Sequence, residues 1–152
     1  MELEHAKETA IDFMKDFGLI EKGWRFIFSN KKRAFGTCYY RRKEIALSKY
    51  LVPFMSYKDV KDTILHEIAH AIDAQQRGYS NHDKKWKMIA KRVGADPMAS
   101  HDKADIPISA FNYYHECPVC GQKYGVYKRP RARYLCGECR EPMEVKKVDK
   151  GL

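Results

Sequence analysis

The sequence predicts an α+β protein in which helices and a small antiparallel sheet are followed by a small cysteine-rich module. Three observations lead to this class: segments with helical periodicity, a region with strand-like alternation, and four cysteines in two pairs near the C-terminus. Of the 152 residues, 44% are apolar and 32% are charged. This composition is typical of a folded domain, and no apolar run approaches the roughly 18 residues that a membrane span requires.

The first predicted element is an amphipathic helix that ends near Gly18. Its apolar side chains recur at spacings of three and four residues, at Ala6, Ala10, Phe13, Met14 and Phe17. The same stretch is charged and contains acidic residues, so it lacks the basic start and apolar core of a secretory signal. We therefore expect a cytoplasmic protein whose cysteines stay reduced and bind metal rather than form disulfides.

Three strands are predicted after this helix. Aromatic residues alternate with other residues from Trp24 to Phe28, and the run AFGTCYY follows the segment SNKKR. The two runs predict a hairpin, and Glu44–Ser48 is the expected third strand of an antiparallel sheet. Cys38, in the second run, is expected in the core. Cations surround these strands, at Arg25, Lys31, Lys32, Arg33, Arg41, Arg42 and Lys43.

Two further helices are predicted in the middle of the chain. Ser56 and Asp59 have the spacing of a capping box, and the helix that follows is expected to end at Gly78. Its apolar positions recur every four residues, at Val60, Ile64, Ile68 and Ile72. Asn81 is the expected N-cap of the next helix, which would put His82 in the first turn. The apolar face of that helix contains Trp86, Ile89, Ala90 and Val93.

His66, Glu67 and His70 form an H-E-x-x-H motif on the predicted long helix. Side chains four residues apart share one helix face, with Cβ atoms about 5–6 Å apart, so both imidazoles can bind one zinc ion. The carboxylate of Glu67 lies beside them, where it can act on a water molecule rather than bind the metal. The alternative is a set of ordinary polar residues on a solvated face, but the helical context is the one that the motif requires.

A catalytic zinc usually has three protein ligands, so a third must come from elsewhere. The extended pattern H-E-x-x-H-x-x-G-x-x-H does not apply, because Asp73 and Gln76 occupy the positions of its glycine and its last histidine. No glutamate lies on the following helix. His82 is the candidate that remains, with His101 and Asp83 as weaker alternatives. A histidine at a helix start can also be simply exposed to solvent.

The C-terminal module contains two CxxC pairs. Cys117 and Cys120 form one pair, Cys136 and Cys139 form the other, and residues 121–135 lie between them. This spacing is typical of a structural zinc site with four thiolate ligands. Two redox-active CxxC motifs are the alternative, but the segment has no βαβ pattern and is too short to fold without a cross-link.

Cations and aromatic residues alternate between the two cysteine pairs. They are Lys123, Tyr124, Tyr127, Lys128, Arg129, Arg131, Arg133 and Tyr134. Cations can neutralise phosphates and aromatic rings can stack on unpaired bases, so this composition suits single-stranded nucleic acid. The alternative is a solvated basic loop with its tyrosines packed on the zinc core.

Two segments of the sequence resemble the SprT-like metalloprotease family, the group that includes the SprT proteins and Spartan. They are LHEIAHAI with NHDKKWKMIAKRVGA, and, upstream, FGTCYYRRKEIALSKYLV. In that family a histidine shortly before an aromatic residue is the third zinc ligand, and the matching positions are His82 and Trp86. Asn81 departs from the pattern, because many members have glycine there. The resemblance implies a zincin-like protease domain at residues 1–112 and a zinc ribbon at residues 113–152.

The resemblance also implies an activity and a partner. We expect a zinc endopeptidase with one catalytic and one structural zinc, in which Glu67 activates the attacking water. Tyr113, Tyr114 and His101 are candidates for a second oxyanion stabiliser. By resemblance, the substrates are proteins bound or crosslinked to DNA, and DNA with single-stranded character is the partner, as in DNA repair. The alternatives are a nucleic-acid-binding zinc-ribbon protein with an inactive or regulatory zincin domain, and a general peptidase.

Overall fold

The computed structural model describes residues 1–97 and 107–150, and contacts divide the chain into two units, Met1–Lys103 and Ala104–Leu152. The boundary expected from the sequence lies later, after residue 112. The short 3-10 helix Ile108–Ala110 packs against a strand of the second unit, which explains why the segment before residue 113 groups with that unit. The α+β class predicted from the sequence is confirmed.

The first unit consists of three helices and a three-stranded sheet. The helices are α1 (Leu3–Asp16), α2 (Tyr57–Arg77) and α3 (Lys84–Val93), and the strands are β1 (Arg25–Ser29), β2 (Gly36–Tyr39) and β3 (Glu44–Ser48). Helix α2 packs against α1, α3, β2 and β3. It is therefore the element around which the other parts of this unit are arranged.

Helix α2 begins and ends where the sequence predicts. The Ser56 hydroxyl accepts a hydrogen bond from the backbone N–H of Asp59 at 3.2 Å, which satisfies one of the free donors at the helix start. Gly78 ends the helix in the left-handed conformation, at φ 81°, where a side chain would be strained. The apolar stripe is fully buried at Val60, Ile64 and Ile68.

The predicted hairpin of the first two strands is wrong. The strand order is β1-β3-β2, with β3 parallel to β1 and antiparallel to β2, so the sheet is mixed. All five residues of β3 are buried, which suits the central position. The tight hairpin joins β2 to β3 instead, and Lys43 in its turn has a positive φ of 54°. Alternation identified the strands correctly, but it contains no information about which strands pair.

Helix α3 begins later than predicted. Its N-cap is Asp83, whose carboxylate accepts a hydrogen bond from the backbone N–H of Trp86 at 3.2 Å, and not Asn81. His82 consequently lies in the loop before the helix and not in its first turn. The predicted apolar face is confirmed, since Trp86, Ile89, Ala90 and Val93 are all buried.

The second unit contains a three-stranded antiparallel sheet. Its strands are β4 (Tyr113–Glu116), β5 (Lys123–Val126) and β6 (Glu144–Lys147), in the order β5-β4-β6. Cys117, Cys136 and Met143 form a buried cluster beside this sheet, with Cys139 partly buried against it. Within residues 1–97 and 107–150, no helix combines the length and apolar composition that crossing a bilayer requires.

Gly36 allows β2 to lie directly against α2. A Cβ atom at this position would lie 2.7 Å from Cγ2 of Thr63 and 3.1 Å from Cγ of Glu67. We expect Gly36→Ala to lower the free energy of unfolding by about 1–3 kcal/mol, the usual cost of overpacking. Urea unfolding followed by tryptophan fluorescence measures this unit alone, because both tryptophans, Trp24 and Trp86, lie in it.

Thr63→Ser provides the matched control for this prediction. It removes the methyl group that the added Cβ atom would meet and keeps the hydroxyl, which donates to the carbonyl of Asp59 at 2.8 Å. We expect the double variant to recover part of the stability that Gly36→Ala loses. An unfolding midpoint for Gly36→Ala equal to that of the wild type would contradict the close approach of strand and helix.

Candidate active site

Three imidazoles predicted as metal ligands lie together in the first unit. His66 and His70 lie one turn apart on α2, and His82 comes from the loop between α2 and α3. Nε2 of His82 is 3.2 Å from Nε2 of His66 and 3.0 Å from Nε2 of His70. Two nitrogens bound to one tetrahedral zinc lie about 3.3 Å apart, because each Zn–N bond is about 2.0–2.1 Å. The triad therefore has the geometry to hold one such ion.

The neutral form of His70 is strongly favoured. Burial, together with the neighbouring imidazoles of His66 and His82, lowers the pKa of His70 to about 3. A neutral imidazole keeps a lone pair on one ring nitrogen, and that lone pair is what a metal ion binds. The electrostatics of the site thus favour the protonation state that ligation needs.

Trp86 packs against all three imidazoles. Its ring centroid lies 4.7 Å from that of His66, 4.8 Å from that of His70 and 4.7 Å from that of His82. From the sequence, this tryptophan is expected on the apolar face of α3 and in the family pattern, but its contact with the imidazoles is not expected. One indole therefore limits the positions that the three rings can adopt.

The two alternatives for the third ligand have different outcomes. The carboxylate of Asp83 accepts hydrogen bonds from Arg77 at 2.8 Å and from the backbone of Trp86, and the hydrogen bond from Arg77 lowers the pKa of Asp83 to about 2. Asp83 is not one of the grouped donors, which among the described residues are His66, His70 and His82 in this unit. His101 lies outside the residues that the structure describes.

Glu67 lies beside the triad but is not part of the metal-binding group. Its side chain is buried, and burial raises the pKa of Glu67 to about 8, with Lys31 acting in the opposite direction. A cavity of about 350 Å³ contains this carboxylate and the triad, lined by Gly36, Thr37, Cys38, Tyr40, His66, Glu67, His70, Ser80 and His82. The three imidazoles and one buried carboxylate therefore line the same cavity.

Two residues that were not expected at the site, Cys38 and Tyr40, also line the cavity. Cys38, expected in the core, is only partly buried and lines this cavity, and burial raises the pKa of its thiol. Tyr40 lines the cavity as well and was not among the expected residues. Tyr113 and Tyr114, two of the three candidates for a second oxyanion stabiliser, lie on β4 in the second unit.

The four predicted cysteine ligands also lie together, in the second unit. The ligand atoms of Cys117, Cys120, Cys136 and Cys139 all lie within 4.8 Å of one another. The sulfurs of Cys120 and Cys136 are 3.7 Å apart, close to the roughly 3.8 Å expected for two thiolates at about 2.3 Å from one tetrahedral zinc. A hydrogen bond from the backbone N–H of Cys120 lowers the pKa of Cys117 to about 7, so one thiolate forms readily near neutral pH.

The cations between the cysteine pairs are exposed. These are Lys123, Lys128, Arg129, Arg131 and Arg133. The tyrosines in this segment differ, because Tyr124 and Tyr134 are 45% and 61% exposed, whereas the ring of Tyr127 packs on Phe111 with centroids 4.8 Å apart. Tyr127 therefore fits the structural alternative, and Tyr124 and Tyr134 present their rings to solvent.

The second basic area, around the sheet of the first unit, is partly neutralised. Arg25 and Arg42 pair with Glu44 at 3.4 Å and 3.0 Å. The guanidinium of Arg42 also lies over the ring of Tyr39, 4.2 Å from its centroid. Lys31, Lys32, Arg33, Arg41 and Lys43 are exposed.

Most of the chain before the cysteine cluster is similar to known proteins. Residues 7–109 match the SprT-like family, a range that contains the histidine triad and Glu67 but not the four cysteines. The chain is 26% identical over 126 residues to Protein SprT of Glaesserella parasuis, covering 78% of this chain and 81% of that protein. It is 33% identical over 94 residues to Protein SprT of Pseudomonas syringae, covering 55% of this chain and only 57% of that protein. With a match over most of its length, the chain belongs to the SprT-like family.

Proposed function

We propose that this protein is a zinc-dependent endopeptidase in which His66, His70 and His82 hold the metal and Glu67 moves the proton. The observation that carries the proposal is the convergence of three imidazoles, with Nε2 of His82 3.0–3.2 Å from the Nε2 atoms of the other two, in a cavity that also contains a buried carboxylate. Membership of the SprT-like family supports a metalloprotease. Four cysteines at a zinc-compatible spacing support a second, structural ion.

A zinc ion held by the triad would polarise the scissile carbonyl and lower the pKa of a water molecule in its open position. Glu67 accepts the proton of the attacking water and later donates it to the nitrogen of the leaving amine. Burial raises the pKa of this carboxyl group to about 8, and a zinc ion held by the triad would lower this pKa. A group whose pKa lies near the working pH can both accept and return a proton.

We further propose that DNA with single-stranded character is the partner and that DNA-bound or DNA-crosslinked proteins are the substrates. Support comes from the second unit, where five exposed cations accompany the exposed rings of Tyr124 and Tyr134. Cations supply phosphate contacts and exposed rings supply stacking surfaces. Such a role fits a cytoplasmic protein associated with the chromosome and with DNA repair.

A nucleic-acid-binding protein with an inactive zincin domain is the alternative function. Glu67 argues against this alternative. Burying a carboxylate that binds no metal lowers the stability of the fold, and buried titratable groups of this kind are typical of catalytic sites. A general peptidase is the remaining alternative, and it differs from the proposal only in its indifference to DNA.

Glu67→Gln tests the mechanism. The amide has the same size as the carboxyl group but cannot accept the proton, so we expect kcat/KM for a protein substrate to fall by about 10²–10⁴-fold. Metal content, measured by atomic emission, should stay at one ion per cluster, because Glu67 is not in the metal-binding group. Glu8→Gln, at an exposed position of α1, is the matched control. Full activity of the Glu67 variant would refute the mechanism.

His82→Ala tests the third ligand. We expect the metal at the histidine triad to be lost while the cysteine cluster keeps its ion, so that metal content falls by half and peptidase activity disappears. His5→Ala, at an exposed position on α1, should change neither quantity. Unchanged metal content with intact activity would contradict His82 as the third ligand and would point to another residue, such as Asp83 or His101.

Replacing Arg129, Arg131 and Arg133 together with alanine tests the partner. If each arginine contacts one phosphate, the slope of log K against log salt for a single-stranded oligonucleotide should fall by roughly 0.7 per cation, or about 2 in total. Fluorescence anisotropy across a salt series measures the slope. The control removes equal charge from exposed Lys7, Lys15 and Lys22. Equal loss of binding in both triple variants would show that only net charge matters, and it would contradict specific contacts between these arginines and DNA.

A further inference from the structure

We propose that Ser80 and Asp73 fix the orientation and tautomer of His70, and that Arg77 extends this network to Asp83, so that the loop containing His82 is held against α2. This inference rests on the proposed function only in taking His70 and His82 as metal ligands. The four residues Ser80, Asp73, Arg77 and Asp83 have positioning roles in this proposal, and none of them belongs to the histidine triad.

The first part of the network determines which ring nitrogen of His70 has the hydrogen. Ser80 Oγ donates to Oδ2 of Asp73 at 2.8 Å, because a carboxylate can only accept. Nδ1 of His70 lies 2.7 Å from the same hydroxyl oxygen, and with the serine proton already directed to Asp73, Nδ1–H must be the donor. The lone pair of His70 is therefore on Nε2, which faces His82 at 3.0 Å.

The second part of the network joins the helix to the loop. Nη2 of Arg77 donates to Oδ2 of Asp73 and to Oδ1 of Asp83, both at 2.8 Å, and Nε of Arg77 pairs with Oδ1 of Asp73 at 2.8 Å. Asp73 is fully buried, so its charge needs this partner. One guanidinium thus binds carboxylates on both sides of the loop.

The third part of the network connects Asp83 to the three imidazoles through Trp86. Asp83 caps α3 through the backbone N–H of Trp86 at 3.2 Å, and the Trp86 ring contacts all three imidazoles. His82 itself is exposed, so burial does little to fix its position. The contacts from Asp73 through Arg77 to Asp83 hold the loop in its place instead.

Hydrogen-bonded partners of metal-binding histidines typically change metal affinity or activity by about 10–100-fold when they are removed. We expect Ser80→Ala to weaken zinc binding at the triad by about that factor, measured by competition with a chromophoric chelator. We expect kcat to fall and KM for a protein substrate to change little. Ser80→Thr keeps the hydroxyl and should restore both quantities, which a purely structural role would not predict.

A spectroscopic measurement on the metal-free protein tests the tautomer directly. Long-range proton–nitrogen correlation spectra should show His70 as the Nδ1–H form in the wild type and a mixture of both forms in Ser80→Ala. Asp73→Asn serves as a second variant, because an amide can donate to Ser80 and so release the serine proton toward His70. It should also shift the tautomer.

The outcomes separate this inference from the proposed function. If Ser80→Ala binds zinc as tightly as the wild type and keeps the Nδ1–H form, the positioning network is refuted, whatever the activity of the protein. If Glu67→Gln retains full peptidase activity while Ser80→Ala loses zinc affinity and mixes its tautomers, the catalytic mechanism fails and the network stands.

Discussion

The Nε2 atom of His82 lies 3.0–3.2 Å from the Nε2 atoms of His66 and His70, and lone pairs this close repel each other unless a cation or a shared proton lies between them. Two of the nitrogens come from one turn of α2, where a spacing of four residues aligns them at no conformational cost. The third comes from a loop, and a loop must be held in place for its side chain to meet the other two. Two contacts around the triad hold this loop in place. Trp86 packs on the imidazole rings, and Asp83, at the end of the loop, caps α3.

The same helix also brings a carboxylate into the cavity, and here the sheet becomes important. Glu67 is buried because β2 lies against it, and β2 can lie so close because Gly36 has no side chain. A solvated carboxylate has a low proton affinity, whereas this one has a pKa of about 8 because of burial. The packing of a glycine against a helix thus contributes to the chemistry of the site.

Much of this arrangement could be predicted from the sequence, because the signals are local. The limits of α2 follow from Ser56 and Gly78, and the two groups of side chains that could hold a metal ion were indicated by the spacing of histidines and cysteines. Strand pairing could not be predicted, since alternation does not identify the neighbouring strand. Asp83, rather than Asn81, caps α3, and Arg77 at the end of α2 pairs with the Asp83 carboxylate across the loop. Such tertiary contacts leave no periodic trace in the sequence.

The second unit contains a highly charged segment and has only a small buried cluster, formed by Cys117, Cys136 and Met143. Residues 121–135 lie between two cysteine pairs whose sulfurs at Cys120 and Cys136 are 3.7 Å apart, so a single ion would close this loop at its base and remove much of its conformational entropy. Tyr127 packs inward on Phe111, and the cations remain in solvent. In the proposed function, a loop ordered in this way binds a strand with little further ordering cost. Because one chain contains both units, the proposed binding of DNA by the second unit would raise the effective concentration of the first near DNA-bound proteins. Under the proposed function, tethering of this kind would require no contact between the cavity of the first unit and DNA. Selection of the substrate would then depend on where a protein is bound rather than on its sequence.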